Sequence, residues 1–152
     1  MRKPTISVDF DGVLHSYKSG WKGARNIPDD PVPGAIEWLC SMLMRYQIAI
    51  SSARSSQFGG RRAMKQWVRE HAARLFLRLE GDEWLALIDS AGYCSHGTEP
   101  DESDSFGRHV VALIQWPRVK PSAQLYIDDR AWLFTGTFPS HDEIRSFKPW
   151  NK

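Results

Sequence analysis

Two cysteines, Cys40 and Cys94, are the only thiols in a chain of 152 residues, and no CxxC pair occurs. Neither a zinc cluster nor a disulfide framework is therefore indicated. The chain also lacks an apolar run of the roughly 18 residues that a membrane-spanning helix needs. Met1-Arg2-Lys3-Pro4 passes straight into an apolar strand without the core of a signal peptide, so a cytoplasmic protein is expected. Charge of one sign is not in large excess. The net charge of +2 is too small to argue for nucleic acid by itself. Its distribution is uneven, however: Arg54, Arg61, Arg62, Lys65, Arg69, Arg74 and Arg78 are followed at once by an acidic stretch from Glu80 to Asp104. The basic run reads as a solvated helix face that its acidic neighbour largely neutralises. There is no internal repeat, and the size and the 41% hydrophobic content suit a single domain over 1–152.

What is present is an alternation of strand and helix patterns. An apolar strand, Ile6-Ser7-Val8, is followed by a polar, Gly- and Pro-containing flap over 15–33. The spacing of Ile36, Leu39, Cys40, Leu43 and Met44 predicts a helix over 33–45, and 46–51 reads as the second strand. Met64, Trp67, Val68, Ala72, Leu75 and Leu79 mark a helix over 61–79, with a shorter one over 83–90. The polar, acidic stretch 92–108 reads as a surface loop or small insertion. Strands are expected at 110–115, 123–127 and, briefly, at Leu133-Phe134, before a last helix capped by Ser140. Trp38, Trp67, Trp84 and Trp132 fall in these elements and are expected in the core, while Trp116 and Trp150 have no assigned place. This order predicts an α/β fold: a three-layer, Rossmann-like open sheet, mostly parallel, with helices on both faces and ligands at the carboxyl ends of the strands.

The chemistry is concentrated at those ends. Strand one runs into Asp9-Phe10-Asp11-Gly12, where residues i and i+2 share a face and the glycine permits a sharp turn. The second strand ends in Ser51-Ser52-Ala53-Arg54 and the fourth in Asp128-Asp129. Carboxylates are hard oxygen ligands that suit Mg²⁺. The Ser52 hydroxyl and the Ser52-Ala53 backbone can bind phosphate oxygens, and Lys120 places a positive charge just before the fourth strand. Together these parts describe a metal-assisted phosphoryl-transfer site. In the flap and beside it, His15, Trp21 and Arg54 are candidate substrate contacts, with Tyr17 and Arg130 expected to be structural.

The four segments, in this order, resemble the motifs of the haloacid dehalogenase superfamily of phosphohydrolases, and in particular its small, nearly capless members from phages and prophages. The matching residues are Asp9 to Gly12, Ser52 after an apolar strand, Lys120, and the acidic pair Asp128-Asp129. The run from Lys120 through Ala131, with Phe134-Thr135-Gly136 and Phe147-Lys148-Pro149-Trp150, is similar to the phage-type members as well. The resemblance implies that Asp9 is the nucleophile and forms an aspartyl-phosphate. Asp11 then acts as acid and base, while Asp9, the Asp11 carbonyl and Asp128 hold Mg²⁺ and Asp129 assists. It implies phosphomonoesterase activity on a nucleotide, a nucleic-acid end or a sugar phosphate, with no membrane and no obligate protein partner. Two other classes share some of these residues. A receiver-type phosphoacceptor domain also combines acids, a hydroxyl and a lysine, but it places an adjacent acidic pair early and its lysine last. A catalytically idle relative acting as a binding module is the third reading.

Overall fold

The computed structural model describes residues 2–95 and 101–152. Three parallel strands, β1 (Thr5–Val8), β2 (Gln47–Ile50) and β3 (Leu125–Ile127), form one sheet in the order β2-β1-β3. Ile6 stands opposite Ile48 and Leu125, and Val8 opposite Ile50 and Ile127. Ile6, Ser7 and Val8 of the central strand are all buried, so side chains on both of its faces are covered where a half-exposed sheet would leave one face wet. The α1 helix (Ala35–Met42) joins β1 to β2. Three helices, α2 (Gly60–Arg78), α3 (Gly81–Ser90) and α4 (Glu102–Leu113), lie between β2 and β3, and α5 (His141–Ser146) follows β3. The chain is thus α/β with a small open parallel sheet. Among the described residues, no helix is long and apolar enough to cross a membrane.

Burial follows the helical spacing. The α2 helix turns Met64, Trp67, Val68, Ala72, Leu75 and Phe76 inward, and α4 meets it with Phe106 and Val110. Gly107 lies against the carbonyl of Arg69, at a point where a Cβ would sit well inside van der Waals distance. One turn away, Arg69 closes the contact with a two-pronged hydrogen bond to Asp104, at 2.6 and 2.7 Å. Close backbone approach and a guanidinium clasp therefore hold α4 on α2.

Four expectations are corrected here. The stretch 110–115 is not a strand, because α4 runs to Leu113 and only Gln115 pairs with β2, exchanging bonds with Ile48 and Ile50. The sheet consequently has three strands and not four. The acidic residues read as loop are the start of that helix: Asp101 caps it by accepting from the Asp104 amide at 3.0 Å, and Glu102 and Asp104 sit in its positive first turn. Residues 96–100 of the stretch 92–108 lie outside the described residues. No strand forms at Leu133-Phe134, and Trp132 is exposed and not in the core. Trp67 is buried, Trp38 and Trp84 partly so. At the last helix Ser140 forms a reciprocal cap with Glu143.

Gly107→Ala forces α4 away from α2 and is expected to lower unfolding stability by about 1–3 kcal/mol, read from denaturant melts. An unchanged midpoint would mean that the two helices are not seated this closely.

Candidate active site

The site begins with what Phe10 does. Its ring is wholly buried and meets Trp67 edge to face at 5.0 Å, so the residues on either side, Asp9 and Asp11, are turned the other way, out of the core. The sheet ladder still holds the chain at this point, with Asp9 N–H donating to Ile127 and Ser51 N–H to Val8. A tight loop follows, in which Leu14 and His15 donate to the Phe10 carbonyl and Gly12 donates to that of His15. Gly12 has a φ of +86°, and the Asp129 carboxylate fills the space its Cβ would need. Glycine is required there by backbone conformation and by space alike.

Asp9, Asp128 and Asp129 each place a carboxylate oxygen within 4.8 Å of the others. Both Asp129 oxygens are buried without a hydrogen-bond partner, and the Nε of Arg130 stands off at 3.8 Å. Burial pushes the Asp9 carboxyl up to about 7. The Phe10 amide partly opposes this, and the neighbouring Asp128, Asp129 and Asp11 charges add to it. Burial raises Asp129 as well. Three hard oxygen donors with an orphaned carboxylate among them fit a divalent cation such as Mg²⁺, which would relieve the repulsion. The Asp11 side chain is not part of this group.

Asp11 belongs instead to a second arrangement. Arg54, with no exposed surface, donates from Nε to both Asp11 oxygens, at 2.8 and 3.1 Å. Its Nη1 reaches the carbonyls of Gly23, Ala24 and Asn26, and the Trp21 ring covers the guanidinium at 4.6 Å. Gly60 at the start of α2 supports Arg54 from behind, since its missing side chain leaves room for the Arg54 carbonyl. His15, also buried, lies with Nδ1 2.8 Å from Asp11. The Asp29 amide donates to Nε2 at 3.2 Å, which assigns the ring proton to Nδ1, where it is donated to Asp11. Burial alone would raise the Asp11 carboxyl, but the hydrogen bonds from His15 and Arg54 and the Arg54 charge outweigh it and hold it below the usual carboxylate range.

These elements enclose a cleft of about 380 Å³ lined by Asp9, Asp11, Tyr17, Trp21, Ser51, Ser52, Ala53, Asp128 and Arg130. Ser52 Oγ accepts from the Arg54 amide at 3.2 Å, which leaves its own proton for a ligand. Lys120 borders a smaller hollow of about 60 Å³ that shares Asp9, Ser51 and Asp128 with the cleft, and its ammonium rests 4.2 Å from the Tyr126 ring centre. Of the candidate substrate contacts, Trp21 lines the cleft. His15 and Arg54 are not among its lining residues; both are buried and engage Asp11, while Arg54 Nη2, also buried, has no hydrogen-bond partner. Tyr17 and Arg130, expected to be structural, do line it. Tyr17 has a φ of +58°, the only positive value outside glycine among the described residues, and such strain gathers at functional sites.

Trp150, within the run that resembles phage-type members, has no expected place in the fold. Trp150 Nε1 donates to the Gly12 carbonyl at 2.8 Å, and Asn151 reaches the Ser16 carbonyl at 3.4 Å. The end of the chain is thereby strapped across the first loop. No local spacing could indicate a contact between residues 138 positions apart.

Two outcomes are expected. Asp9 keeps its proton to about pH 7 when folded but releases it near pH 4 when unfolded. In EDTA, stability should therefore fall as pH rises through that window, by up to about 4 kcal/mol. Asp129 acts in the same sense and Asp11 in the opposite one, its stabilisation being lost only as pH falls through its lowered folded value. Denaturant melts at a series of pH values should show the decline, and Asp9→Asn should remove most of it; a flat wild-type profile would refute the raised carboxyl. Separately, Arg54→Met strands Asp11 and should cost roughly 3–5 kcal/mol, measured in the same melts at pH 7.

Comparison with protein-family models, with curated proteins and with solved structures finds no match for the chain, so the functional reading rests on this geometry.

Proposed function

We propose that the chain is a Mg²⁺-dependent phosphomonoesterase of the haloacid dehalogenase type, working through an aspartyl-phosphate on Asp9. The observation that carries this reading is the meeting of Asp9, Asp128 and Asp129 at the carboxyl ends of β1 and β3, in a cleft that also holds Asp11 and Ser52. The finer architecture belongs to the same proposal: a Rossmann-like, three-layer core with helices on both faces and a flap in place of a cap, of the kind found in small phage-type members, acting in the cytoplasm.

Asp9, Asp128 and the carbonyl of Asp11 would hold the cation, with Asp129 behind them. Bound there, Mg²⁺ supplies charge neutralisation that lets a carboxylate approach an anionic phosphate. A carboxylate oxygen of Asp9 forms a bond to phosphorus as the bond from phosphorus to the alcohol oxygen breaks, and the proton of Asp11 passes to the departing oxygen. Water then attacks the phosphoryl group, gives its proton to Asp11 and releases phosphate from Asp9. Asp11 is ionised when paired with Arg54 and His15, which suits the base of the second step. A phosphate dianion beside it favours the protonated form needed for the first. The Ser52 hydroxyl and the Ala53 amide receive phosphate oxygens, and Lys120 adds positive charge from the adjoining hollow. Trp21 and Tyr17 shape the entrance where a leaving group would lie.

The purified chain is expected to hydrolyse an aryl phosphate with Mg²⁺ and to stop in EDTA, with Asp9→Asn reducing turnover by several orders of magnitude. Undiminished turnover in that variant would dispose of the nucleophile. A stable phosphoprotein without turnover would point to the receiver-type reading, and the lack of both to a binding module.

A further inference from the structure

Beside the cleft lies a second cavity, of about 410 Å³, bounded by Phe58, Arg61, Arg62 and Arg118 together with the small polar residues 55–57 and Gly59. Among the described residues, no carboxylate borders it. Arg62 and Arg118 have no ion-pair or hydrogen-bond partner among the described residues, and Arg61 is steadied by donating to the Trp116 carbonyl at 3.3 Å. The α2 helix starts at this cavity with no side-chain cap and no acid in its first turn, so its positive end adds to the arginine charge. In the midst of this field Phe58 is 90% exposed. Its ring is flanked by Arg25, whose guanidinium lies 6.0 Å from the ring centre and whose stem packs over Gly59. Burying an aromatic side chain is worth roughly 1.5–3 kcal/mol, so a ring held out among cations is poorly placed for stability and well placed to stack on a ligand.

We infer that this cavity binds the backbone of a single-stranded nucleic acid whose phosphorylated end enters the cleft. The inference rests on the phosphatase reading and narrows its substrate to a polynucleotide end. Arginines free of acids meet successive phosphates, and an exposed ring between them offers a base a stacking surface; an acidic peptide would use the charges and leave the ring without a purpose. The two cavities share one stretch of chain: Ala53 borders the cleft and Ser55 the arginine cavity. Two residues span at most about 7 Å, so the terminal phosphate and the strand behind it can be held together.

The test uses the full chain in EDTA and a fluorescently labelled, short single-stranded oligonucleotide carrying a terminal phosphate, followed by anisotropy. The R62E/R118E double variant should bind at least about tenfold more weakly, with the slope of log affinity against log salt reduced by about 2. Phe58→Ala, at an exposed position that folding does not require, should lose roughly tenfold on its own. Aryl phosphate turnover with Mg²⁺ should survive in these variants while hydrolysis of the oligonucleotide end declines. Equal oligonucleotide affinity in wild type and variants would overturn the inference, as would displacement of the oligonucleotide by a polyglutamate peptide at lower concentration than by unlabelled strand. A wild-type chain that binds the oligonucleotide through these residues but hydrolyses no aryl phosphate would refute the phosphatase reading and leave the strand-binding site standing.

Discussion

The buried guanidinium of Arg54 is the interaction on which the site depends. It connects three segments that the sheet alone does not bring together: the turn after β2, the carboxylate after β1, and the flap carbonyls of Gly23, Ala24 and Asn26. A charge removed from water must be compensated on the spot, and Arg54 is compensated by Asp11, by carbonyl oxygens and by the face of Trp21. Because these partners come from different segments, satisfying one arginine fixes the position of the flap over the cleft.

The acids around the cleft are sorted by their surroundings and not by their spacing. Asp9 and Asp11 are two residues apart and face the same way, yet they experience opposite fields. Asp9 is buried, and crowded besides by Asp128 and Asp129, and resists ionisation, while Asp11 is clasped by His15 and Arg54 and ionises readily. A cation beside Asp9 and a dianion beside Asp11 would each reverse the local balance. On the proposed reading, a cleft so divided would respond to both halves of a metal phosphate complex.

Much of this was legible in the order of the residues. The strand ends, the turn at Gly12 and the capped last helix follow from alternation, steric freedom and side-chain capping, all of which are local. What escaped was set by distant partners. The β-branched run Val110-Val111 favours a strand by propensity, but Phe106 and Val110 pack on α2 as one helix face, and the Asp101 cap with the Arg69 clasp decides for helix. His15 and Arg54 were recognisable as polar residues near the site. Their direction was not, because it depends on the Asp29 amide and the flap carbonyls, which have no pattern of their own. The arginines at 61 and 62 look like part of a solvated helix face until Arg118 is folded against them.

The strap from Trp150 to Gly12 has a consequence for the chain during its synthesis. Proteins are made from the amino end, and the first loop emerges long before the indole that grips its carbonyl. The sheet faces the same delay, since β3 must reach the far side of β1 after α2, α3 and α4 have formed. Ribosome-bound chains that end short of residue 150 would thus carry every acid of the cleft without the clamp that shapes its first turn. Asp9 is made well before Trp150, and the loop that follows it is finished only when that indole arrives.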